Sequence, residues 1–172
     1  MPKLVQLERW FEQLLEIVVI LLTGGMAVVV LLAVVFRKAG MSLVWYDEVA
    51  SIMLAWLTYY GASLAALKRA HIGFPGLVES FPPRWRVTAV YLGEIVTIGF
   101  FALLAWVGWE VLVVLEGSYL ISLPNVPIQF TQSVIPIGAV LFIVAQLLSL
   151  PRALDEARRG VHHQILPEVM DK

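Results

Sequence analysis

Cysteine is missing from all 172 residues, which excludes disulfides and thiolate-held metals. Charge is scarce as well. Asp, Glu, Lys and Arg make up 15% of the chain, against roughly 25% in soluble domains. None of them falls within 17–36 or 49–67. No acidic or basic run is present of the kind that signals a nucleic-acid partner. Histidine is limited to His71, His162 and His163, all outside the apolar stretches, so a haem or metal site inside a membrane has no ligands to draw on. What fills the space is apolar: hydrophobic residues reach 60%, and little is left to fold in water.

That material is arranged as four stretches, each long enough to cross a bilayer core about 30 Å thick. The expected fold is all-α and integral to the membrane, as one domain over 1–172. Its spans fall at 15–36, 47–68, 84–115 and 128–150, and a polar tail follows over 151–172. The first span is read as a retained helix and not a cleaved signal. Glu8, Glu12 and Glu16 precede it, its core is too long, and Arg37-Lys38 follow without a small-residue cleavage pattern. The third span opens at Pro82-Pro83, which suit a first helical turn. At about 50 Å it outruns the hydrocarbon core, so it must tilt, protrude or break. Trp106 and Trp109 mark its outer interface.

Lys and Arg set the orientation. One side holds Lys3 and Arg9, then Lys68, Arg69, Arg84 and Arg86, then Arg152, Arg158, Arg159 and Lys172; the other holds Arg37 and Lys38. The positive-inside rule puts both termini in the cytoplasm. Before the first span, Leu4, Leu7, Phe11 and Leu14 recur at helical spacing with Glu8, Arg9, Glu12 and Gln13 elsewhere on the wheel. This predicts a short amphipathic helix over 1–14 lying in the interface; the alternative is an extension of the first span.

Polar residues in such a chain are the functional candidates. Glu94 and Glu110 share the third span, but about 24 Å and about 160° separate them, so they cannot form one carboxylate pair. Each is read as a satisfied interhelical or wet interfacial position. Arg37, Asp47 and Glu48 flank the short 38–46 hairpin, either bridging it or presenting charge to a partner. Gly61, Ala62, Ala65 and Ala66 make a small-residue face just after Trp56, Tyr59 and Tyr60. The third loop holds Pro124 and Pro127 around Asn125 and is apolar enough to pack on protein or dip into the interface. Pro136 lies early in the fourth span, where neighbouring helices would cover the carbonyl it frees.

Taken in order, Phe36-Arg37, Trp45, Glu48, Trp56, Gly61-Ala62, Ala65, Arg69 and His71-Ile72 resemble the signature of the small membrane subunit of TRAP transporters, the tripartite ATP-independent periplasmic carriers of organic acids. Leu123-Pro124 and Ile135-Pro136-Ile137-Gly138 resemble that family's outer-loop and fourth-span patterns, and the likeness covers 34–150. Lys38 departs from it, standing where many members have an aromatic residue.

The resemblance implies a bacterial inner-membrane protein that is not an enzyme and needs no cofactor. It would be a fixed scaffold in a stable heterodimer with a large multi-spanning subunit, which carries the organic acid with sodium by an elevator movement. A periplasmic binding protein would dock transiently, with membrane lipids around. Arg37, Trp45, Asp47 and Glu48 would then form an outer corner near the docking surface. Trp56, Gly61 and Ala65 would face the large subunit or the chain's own core. The alternative is a stand-alone four-helix drug exporter acting as a homodimer through Glu94; the first span, where such carriers place their glutamate, has no charge over 17–36.

Overall fold

The computed structural model describes residues 2–70 and 81–159, and the described residues are helical apart from loops and one isolated bridge between Tyr119 and Pro127. We number the helices α1 (Pro2–Lys38), α2 (Tyr46–Leu67), α3 (Pro83–Val114), α4 (Ile128–Gln132) and α5 (Val134–Arg159). Four of them, α4 joining α5 as the fourth, are long and apolar enough to cross a membrane.

α1 runs unbroken for 37 residues, about 55 Å at 1.5 Å per residue. The segment expected as a short interfacial helix is, over 2–14, continuous with the first span. No proline or glycine interrupts the chain from Lys3 to Thr23, so nothing ends the hydrogen-bond ladder there. The apolar side chains of that segment also divide. Phe11 and Leu15 are buried in the main core with Ala66, Leu67, Phe142 and Ala145, whereas Leu7, Trp10 and Leu14 face outward.

α3 is likewise continuous over 32 residues, which excludes a break as its answer to excess length. Pro83 stands in its first turn, where a missing N–H costs nothing. The fourth span differs from expectation at both ends. Ser133 separates α4 from α5, and Pro136 falls in the first turn of α5, where a missing N–H costs little. The segment expected to begin the tail at 151 instead continues the helix through Pro151 to Arg159.

The helices stand in a row in the order α1, α2, α5, α3. α2 packs on α1 and on α5, α5 packs on α3, and no other pair of spanning helices packs extensively. α2 and α5 are the interior members, and α5 is buried over far more of its length than α1 or α3. Glycine permits two of these contacts. A Cβ on Gly138 would lie 2.7 Å from Cβ of Tyr59, and one on Gly108 would lie 2.9 Å from Ile135 and 3.0 Å from Pro136. Phe101 of α3 stacks on Phe142 of α5 with centroids 3.7 Å apart.

Candidate functional site

The polar side chains gather at the two ends of the row. At the end where α2 finishes, Glu8, Glu12 and Glu16 are four residues apart on α1 and so share one helical face. Lys68 meets Glu12 at 3.1 Å and Glu16 at 2.6 Å, and the two carboxylates hold its ammonium above the ordinary lysine pKa of 10.5. Arg152 of α5 pairs with Glu8 and also donates to the carbonyl of Leu67 at 3.3 Å, satisfying an acceptor that the end of α2 leaves open. α1, α2 and α5 are thereby tied at one point.

Arg69 adds α3. Its Nη1 lies 3.3 Å from Oε1 of Glu94, which is only 6% exposed. The second carboxylate oxygen of Glu94 is buried without a hydrogen-bond partner. Arg69 reaches this position from an unusual backbone. Its φ is +51°, and it follows Lys68, the C-cap of α2, where the N–H of Arg69 bonds to Ala66 and that of Ala70 to Ala65. That pairing is a Schellman ending, a place glycine usually takes. Gly40 takes it after α1, where Gly40 bonds back to Arg37 and Met41 to Phe36.

At the opposite end, Glu48 in the first turn of α2 accepts hydrogen bonds from the Ser122 hydroxyl and from the Ser122 N–H, the latter at 3.0 Å. The loop it holds is folded on itself: Leu120 N–H bonds to Val126, Ile128 N–H to Ser118, and Val126 N–H to Leu123 across a turn with Pro124 second. Leu120 is buried and Ile121 exposed, so the apolar loop packs through one side only. Trp56 donates to the Thr131 carbonyl at 3.0 Å and lies against Phe130, with centroids 5.4 Å apart. Gln129 donates to Leu112 at 2.8 Å, closing the end of α3.

The residues singled out in the sequence are thus distributed, not gathered. Arg37 and Asp47 are exposed, and among the described residues neither forms an ion pair; with Lys38 and Glu48 they sit at helix ends whose dipole each favours. Trp45 precedes α2 and its carbonyl accepts from Val49. Trp56 belongs to the chain's own packing. Gly61 has nothing of this chain within 4 Å of where its Cβ would be, whereas Gly138 is pressed on Tyr59. Ala65 serves the end of α2 through its carbonyl. Pro124 shapes the loop turn and Glu110 is exposed. His71 lies outside the described residues, as do His162 and His163. The glutamate row on α1, Lys68, Arg152 and Ser122 were not singled out as a set; the four-residue spacing of Glu8, Glu12 and Glu16 was the signal available.

These features define a helical membrane protein whose buried polar groups go into fastening its own helices to one another. No curated protein sequence matches the chain. A family model described as the DctQ component of tripartite ATP-independent periplasmic transporters matches residues 26–156, and the chain belongs to that family. It is a small subunit of a TRAP transporter, and the family is a transporter component and not an enzyme. Members work with a large membrane subunit and a periplasmic binding protein.

Proposed function

We propose that this chain is the stationary scaffold against which the large subunit of its transporter moves an organic acid together with sodium. The observation that carries the reading is the fastening of all four spanning helices at the Lys68–Arg69–Arg152 end. Glu94, the buried carboxylate of α3, is engaged by Arg69, so its charge serves cohesion of the row. A subunit so tied resists deformation while a neighbour slides past it.

Both termini would lie in the cytoplasm of a bacterium, putting the Lys68–Arg152 end at the inner surface and the Glu48–Ser122 loop at the periplasmic one. The exposed loop side around Ile121, with Arg37, Trp45 and Asp47 across the hairpin, would then be available to the binding protein. Gly61, left open within the chain, would face the large subunit.

A mild-detergent pull-down of tagged chain from its native membrane, followed by mass spectrometry, tests this. A large many-helix subunit recovered in equal amount supports the scaffold reading. Recovery of a homodimer alone overturns it.

A further inference from the structure

We propose that the outward face of α3 is a lipid-facing edge that fixes the depth of this chain in the bilayer, and that it stays in lipid when the large subunit is bound. Trp85, Leu92, Val96, Leu103 and Trp106 are all exposed, Trp85 by 65% and Trp106 by 71%. At about 100° per residue they fall within about 80° of one another around the helix, so they form a single face. Trp85 and Trp106 bound it, and at 1.5 Å per residue they stand about 31 Å apart along the axis. A bilayer hydrocarbon core is about 30 Å thick, and tryptophan concentrates at its two boundaries.

Charge follows the same limits. Between the two tryptophans the only Asp, Glu, Lys or Arg residues of α3 are Arg86, about 100° off this face at its inner boundary, and Glu94, about 180° away and buried. Glu110 returns to the face about 6 Å beyond Trp106, exposed, where headgroups would begin. A protein partner has no reason to demand apolar surface of bilayer thickness with a ring at each boundary; a bilayer does. The other edge of the row differs, because the large exposed side chains of α1 from Ile17 to Val35 are all aliphatic.

That the face remains in lipid within the assembled transporter rests on the reading given above. The absence of cysteine leaves a clean background for single labels. Val96→Cys, Leu103→Cys and Glu110→Cys would each carry a nitroxide in nanodiscs, first with the chain alone and then with the large subunit co-purified. The expected result in both samples is a mobile label at Val96 with oxygen access several-fold above that of a water-soluble nickel chelate. The oxygen-to-nickel ratio should be smaller at Leu103 and lowest at Glu110. Nickel access equal to oxygen access at Val96 in the chain alone overturns the lipid face. An immobile label, shielded from both reagents only once the large subunit is present, overturns its persistence in the complex. Failure of the large subunit to co-purify counts against the scaffold reading and leaves the measurement on the chain alone decisive for the face.

Discussion

Arg69 and Glu94 meet at 3.3 Å across the gap between the end of α2 and α3, and Arg69 does so from a left-handed backbone at φ +51°. Glycine adopts that conformation after α1, at Gly40. A side chain there costs about 1 kcal/mol or more in backbone strain. From that position a long cation reaches a carboxylate buried on α3, beyond the intervening α5.

Arg69→Ala should therefore destabilise the chain by about 1–3 kcal/mol, toward the low side because Arg69 is itself part-exposed. Adding Glu94→Gln, which removes the stranded charge, should recover most of the loss. Thermal unfolding of the two single variants and the double variant in detergent measures this. Losses that simply add would rule out the coupling.

Lys68 gives a pH dependence of definite sign. Its pKa is raised in the folded chain by Glu16 and Glu12, so its contribution is complete below the ordinary value of 10.5 and fades as pH rises through the raised one. Stability owed to Lys68 should be flat from neutral pH to about 10 and decline above it. Lys68→Arg, which stays protonated, should hold its melting temperature further into alkali than the parent chain. Parallel curves for the two would refute the assignment.

Two glycines should respond oppositely. Gly138→Ala places a Cβ 2.7 Å from Cβ of Tyr59, an atom that cannot swing away, and should cost about 1–3 kcal/mol. Gly61→Ala meets nothing within 4 Å and should leave the isolated chain unchanged or up to about 1 kcal/mol more stable. If Gly61 faces the large subunit, Gly61→Leu should reduce co-purification while the chain alone still folds.

Glu48→Ala releases both the hydroxyl and the N–H of Ser122. The loop should open, and amide exchange at Leu120, Ser122 and Val126 should quicken several-fold while α5 is unaffected. Uniform quickening across α5 as well would show that Glu48 supports the whole row and not the loop.

Much of the fold was readable because bilayer thickness turns length and charge into a ruler. Charge-free runs over 17–36 and 49–67 require helices whatever their neighbours are. What the same runs withhold is which side of each helix meets protein, since lipid is as apolar as leucine. Gly61 and Gly138 illustrate this: both sit among apolar residues, and only the packed structure separates the open one from the one pressed on Tyr59. The side holding Glu8 and Glu12 looked like the wet side of an interfacial helix. Its cations come from Lys68 and Arg152, far along the chain, so local pattern could not assign them. The Arg69–Glu94 pair was hidden for the same reason, although each residue had been singled out separately.

The order of the row also sets a timetable for synthesis. α1 and α2 are made consecutively and pack on each other at once. α3 emerges next and finds no extensive docking face, because its neighbour α5 has yet to be translated. Until α5 arrives, α3 is held to the helices already made chiefly by the Arg69–Glu94 pair. A chain halted after α3 would hold its third helix by little more than that ion pair, a loose attachment by which a membrane protease could tell an unfinished subunit from a finished one.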